Sequence, residues 1–267
     1  METNNSFSFQ RLVLLSKQSM IIYKKPIGIA LAGFSAIIFI ALILAQSAAN
    51  FRNWDNNGDS TATFIFLFLQ FGFIYTCLSF PAFRSKEKSM VYLMLPASVS
   101  EKYTFELLTR IVLYIVLMPL LFWLVANIEG IVVHSFMPEL TNYKFSFRDG
   151  FLAIVKNGKF EFWALISTIQ GILFVFIAPF TGASHFSKSP LLKTVFTFLS
   201  IIAGYGFFVF LLVKGLGLEH IHTVNHRVLF MDLNNSDDAL IFLGILSTAI
   251  NVSLLSIAYF RLKEKEA

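Results

Sequence analysis

The chain has 267 residues, 56% of them hydrophobic and 14% charged, with 32 phenylalanines and a mean hydropathy of +0.70. That composition leaves too little polar surface to wrap a water-soluble globule and points to an integral membrane protein. The net charge of +5 and the pI near 9.3 come from basic residues dispersed among membrane-flanking positions rather than gathered in a stripe, so nucleic acid is not an expected partner.

Ahead of the first long apolar run, polar residues recur in pairs seven apart: Gln10 with Arg11, Lys17 with Gln18, and Lys24 with Lys25. This spacing places them on one side of a helix, while Phe9, Leu12, Val13, Leu15, Met20, Ile22 and Tyr23 fill much of the rest. Residues 1–25 are expected to form a cytosolic amphipathic segment, either lying in the headgroup region or extending the first span.

A helix needs roughly 20 apolar residues to cross a hydrocarbon core about 30 Å thick. Six runs qualify, at 26–46, 63–83, 111–133, 162–183, 191–213 and 239–260. Their continuity, without dyad alternation, favours helices over a barrel. The expected fold class is an all-α integral membrane protein with six transmembrane helices. The first run follows Lys24 and Lys25 and precedes Ser47, Ala48 and Ala49, as a secretory signal would. It exceeds the 7–15 residues of a signal core, so an uncleaved first span is expected.

The connector 47–62 is rich in turn formers, Asp55, Asn56, Asn57, Gly58 and Asp59. The second run holds the single cysteine, Cys77, so no intrachain disulfide can form and a packing role is expected. The segment that follows, 84–110, is the most distinctive of the chain. From Arg84 to Lys88 charges alternate, and from Met90 to Leu95 runs an apolar stretch too short to cross a membrane. Pro96 disfavours helical geometry at the residue before it and stops an incoming helix. Ser98 or Ser100 then caps a new helix starting near Glu101, whose carboxylate suits the positive helix N-terminus. That helix is expected to run through Tyr103, Phe105 and Leu108 into the third span. The result is a short surface helix, a sharp turn and a re-entry; the alternative is an ordinary basic loop that anchors topology.

Two longer connectors follow. Residues 129–161 contain Pro138, Asn142, Gly150 and Gly158, and residues 214–238 are similar in character; together they could cap the spans. The latter carries Glu219, His220, His222 and His226, and His222 with His226 would share a helix face suited to a transition metal. No second ligand cluster is fixed by spacing, so these histidines are only candidate ligands and no metal is expected. The chain closes on a basic tail, 261–267. Lys and Arg number 14 on the side of both termini and 7 on the other, which predicts cytoplasmic termini and outer connectors at 129–161 and 214–238.

The central turns of the spans contain no ionisable residue, only Gln70, Gln170, Asn251 and scattered Ser and Thr. This argues against an ion-coupled carrier, and the three amides are expected to hydrogen-bond between helices. Gly28 with Ala32, and Ser200 with Gly204, have the four-residue spacing that permits close helix approach. No nucleophile elbow, paired intramembrane aspartates, zinc-protease motif or phosphate-binding loop is present, so neither catalytic residues nor a cofactor is expected.

Leu95, Pro96, Ala97 and Ser98, followed by Glu101 and Lys102, resemble the segment between the second and third spans of permease subunits of ATP-binding-cassette exporters of the second type. The resemblance covers about ten residues by motif and the whole chain by topology: six spans, cytosolic ends, an interfacial helix before span one. The sizeable connector after the third span departs from the family's short early outer loops. The resemblance implies a plasma-membrane location, the inner membrane of a bacterium, and a homodimer or heterodimer of permease chains around one path. It also implies docking on a separate cytosolic ATP-binding subunit through Lys88, Tyr92, Leu95, Pro96, Ser98, Glu101 and Lys102. The alternative is a non-catalytic scaffold or assembly protein that recruits another cytosolic partner.

Overall fold

In the computed structural model the described residues are 7–48, 57–84, 89–90, 92, 97–137, 144–149, 162–186, 188–215, 227–228, 231–232 and 236–266. They are helical apart from short connectors and a two-residue antiparallel pairing, Arg227–Val228 (β1) with Met231–Asp232 (β2). The helices are Phe9–Ala48 (α1), Asn57–Cys77 (α2), Val99–Leu107 (α3), Leu113–Phe136 (α4), Phe162–His185 (α5), Pro190–Gly215 (α6) and Ser236–Glu266 (α7). A π-helical turn, Leu108–Val112, joins α3 to α4 without a break. Six of the helical stretches are long and apolar enough to cross a membrane, and the chain is a multi-pass integral membrane protein.

Contacts divide the chain into two compact units. Unit 1 comprises residues 1–72 and 96–160, and unit 2 comprises 73–95 and 161–267.

In unit 1, α1 packs along α3 and α4. Ile38 and Leu42 of α1 are buried, as are Met118, Phe122, Val125 and Ala126 of α4, a stripe at helical spacing. An aromatic cluster binds α2 to α4. Phe64 meets Phe122 edge-to-face at 5.0 Å, and the Tyr114 hydroxyl donates to the Phe68 carbonyl at 2.8 Å. Part of the connector expected over 129–161 folds back onto this cluster: Phe145 and Phe147 contact Phe122 at ring-centroid distances of 5.3 and 6.4 Å. Burying these rings removes large apolar areas from water and adds roughly 0.5–1.5 kcal/mol per well-oriented pair.

In unit 2, α5 lies along α7 and α6. Asn251 donates to the Gln170 side-chain and backbone oxygens at 2.8 and 3.0 Å, as expected for these amides. The Thr181 hydroxyl bonds across to the Leu254 carbonyl at 3.0 Å. Gln70, by contrast, is exposed on α2. Within the chain a close helix approach is made at Gly182. Neither Gly28 nor Gly204 has a neighbour within 4 Å of a notional Cβ, whereas a Cβ on Gly182 would fall on the Thr194 side chain of α6.

Of the two alternatives for the N-terminal segment, it extends the first span: α1 runs on through Pro26 as one helix of 40 residues. Element ends differ from the sequence expectation in three places, each for a local reason. The second span ends at Cys77 rather than at 83, because Pro81 lacks a backbone donor and Phe80 before it adopts φ 53°. That left-handed conformation is held by burial of the Phe80 ring against Phe180, 5.0 Å away. The connector expected from 129 begins only after Phe136, since Ile131 to Val133 continue the apolar helix and carry Glu129 inside it. Finally, residues 261–266 are the last turns of α7 rather than a free tail, anchored by buried Leu262.

Candidate partner-docking element

The segment singled out by sequence opens with a 3-10 turn, Pro81–Arg84. Ser89, Met90 and Tyr92 are helical, and the Tyr92 ring stands edge-on to Phe83 at 5.4 Å. Met90 is exposed. Lys88, Leu95 and Pro96 lie outside the described residues, as do His220, His222 and His226. The boundary between the two units falls at 95/96, so Tyr92 belongs to unit 2 and Ser98, Glu101 and Lys102 to unit 1.

Ser98 caps α3, as one of the two serines was expected to. Its hydroxyl accepts from the Glu101 backbone N–H at 3.3 Å, and the Glu101 carboxylate accepts from the Ser98 N–H at 2.9 Å, a reciprocal capping box. Ser100 joins the cap through a 3.0 Å contact between hydroxyls. Sequence spacing is sufficient to find this feature, since Ser and Glu three apart satisfy two helix donors at once.

The second role of Glu101 is invisible in the spacing. Its carboxylate also accepts from the Ser8 backbone N–H at 2.6 Å and pairs with the Arg11 guanidinium at 3.0 Å. Both partners lie some ninety residues earlier, at the start of α1, where Leu12 and Leu15 are buried. Glu101 is fully buried, so one carboxylate closes the cap of α3 and clasps α1 onto it. Lys102 is buried as well. Neither side chain is therefore a free surface contact. Of the expected docking residues, Glu101 acts inward as a positioning group.

Below the clasp, charge continues along α3: Glu106 is buried and accepts from Arg110 Nε at 3.3 Å. Thr109, within the π turn, donates to the Phe105 carbonyl at 2.8 Å. Single π turns are uncommon in helices and concentrate at functional sites; nothing in the residue pattern announced this one. It lies where the polar α3 gives way to the apolar α4.

Among the described residues no group of three or more His, Cys, Asp or Glu side chains could hold a metal. Comparisons with protein-family models, with curated proteins and with solved structures returned no match.

Proposed function

We propose that the chain is the membrane-spanning permease subunit of an ATP-binding-cassette exporter, driven by ATP hydrolysis on a separate cytosolic subunit. In this reading both termini and the 84–110 segment face the cytosol, and the first turns of α1 lie at the membrane surface. The supporting observation is the clasp of Arg11 and Ser8 on Glu101. A partner that pushes on the segment before Ser98 meets a rigid, capped helix that is bonded to the start of α1 and continuous with α4.

Length makes such transmission feasible. The stretch Val99–Phe136 has 38 residues, about 57 Å at helical rise, against a hydrocarbon core about 30 Å thick. Roughly half of it therefore projects beyond the apolar layer, as do the first turns of the 40-residue α1. The projecting part of the former is the charged α3. Docking falls on the stretch from Lys88 to Pro96, and Ser98 and Glu101 fix the start of the helix that follows it.

The test is co-purification in mild detergent. The wild-type chain is expected to bring down a soluble ATPase, and Leu95→Glu with Pro96→Glu to lose it while the permease still elutes as a single species. Retention of the ATPase by that variant contradicts the docking role. Recovery of a cytosolic protein without ATPase activity favours the scaffold instead.

A further inference from the structure

Glu129 lies two turns from the end of α4 and is 1% exposed, yet neither of its carboxylate oxygens makes a well-aligned hydrogen bond or an ion pair with a described side chain. Against it lies the side chain of Gln46, near the end of α1, whose own Oε1 is buried without a partner. Two carboxylate oxygens and one amide oxygen thus lie together, and the donor placed against the carboxylate is the uncharged amide N–H of Gln46. Leaving a buried carboxylate unsatisfied costs several kcal/mol, and an ionisable group at membrane depth marks a functional position.

No described side chain supplies the missing positive charge. α1 has no titratable residue beyond Lys25. On α4 the remaining ionisable side chains are Tyr114 and His134, and neither is bonded to Glu129. In the segment that packs on Phe122, Lys144, Arg148 and Asp149 are exposed. On α2, Phe64 meets Phe122 edge-to-face, and Glu129 follows Phe122 by seven residues on the same helix face. The buried Ser60 and Thr61, one turn before Phe64, bring hydroxyls to that end of the bundle.

We propose that Glu129 and Gln46 form a binding site for a small monovalent cation, an alkali ion or ammonium, within unit 1. One carboxylate balances one positive charge, and the neutral amide oxygen completes a donor set made only of oxygen. With a divalent ion, one carboxylate would leave a positive charge unbalanced in apolar surroundings. The site is independent of the exporter reading, because it is built from α1 and α4 at the opposite end of those helices from the Glu101 clasp.

The experiment uses the full chain in lipid nanodiscs and dicyclohexylcarbodiimide, which modifies carboxyl groups in apolar surroundings. In choline buffer, mass spectrometry is expected to find the adduct on Glu129. Adding Na⁺, K⁺ or ammonium at about 100 mM should slow its formation about tenfold for a site with Kd about 10 mM. Gln46→Leu should shift that protection to higher ion concentration, and Glu129→Gln should remove the adduct. Equal rates in choline and in all three ions would overturn the proposal, since the carboxyl would then take up only a proton. Absence of an adduct in choline would overturn it too, by showing that the carboxylate already has a partner. Both decisive outcomes are read on the wild-type chain, whatever the stability of the variants.

Discussion

Glu101 shows how much one buried carboxylate can organise. It accepts from the backbone N–H groups of Ser8 and Ser98 and from Arg11, and its own N–H is held by Ser98. A bond to a charged group contributes about 1.5–3 kcal/mol, while loss of a serine cap costs about 1 kcal/mol. Ser98→Ala should therefore destabilise the protein by about 1 kcal/mol and Glu101→Ala by about 3 kcal/mol or more. Arg11→Ala should fall between them, because Arg11 is partly exposed and solvent takes over some of its work. Reversible unfolding in mixed micelles orders the three; an Arg11→Ala variant costing more than Glu101→Ala would refute the account of the carboxylate as the hub.

At the scale of elements, α5 and α6 approach through Gly182, which has a small residue, Ala178, four positions before it. Thr194 on α6 is buried over Gly182, and added volume at that position must displace it. Gly182→Val should cost about 1–3 kcal/mol as an overpacked contact. Thr194→Ala in the same chain should recover part of the loss, since it removes the atoms that collide. Thermal unfolding in detergent compares the single and double variants, and absence of recovery would place the strain elsewhere. The Asn251 and Gln170 pair joins α5 to α7 in the same unit; interhelical bonds of this kind average about 0.6 kcal/mol in membranes. Asn251→Leu should thus be the milder change.

For the whole molecule, the proposed arrangement in the bilayer rests on charge: the six-span reading puts 14 Lys and Arg on the side of both termini and 7 on the other. Single cysteines at Gln10 and Glu264, in a Cys77→Ser background, should react with a membrane-impermeant maleimide only after cells are permeabilised. Both positions are exposed, so reagent access is not limited by packing. Labelling of intact cells would invert the topology and with it the cytosolic docking reading. Large apolar side chains on α6, among them Phe196, Leu199, Ile202 and Phe207, face outward from the chain. Such exposure suits hydrocarbon surroundings, in which burial within the protein is not what keeps an apolar side chain from water.

The number of spans and the cap at Ser98 were readable in the residue order, because both depend on short-range chemistry. A 20-residue apolar run cannot hide from a hydropathy count, and a Ser followed three residues later by Glu satisfies its own helix end. What the order of residues left open depends on partners distant along the chain. Arg11 reads as one of several basic residues until Glu101 is found beside it, and Glu129 reads as the start of a loop until α4 is seen to continue past it. Gly182 looks no different from Gly28 or Gly204 until Thr194 closes over it. Long-range contact is decided by which helix faces meet, and only the folded chain brings those faces together.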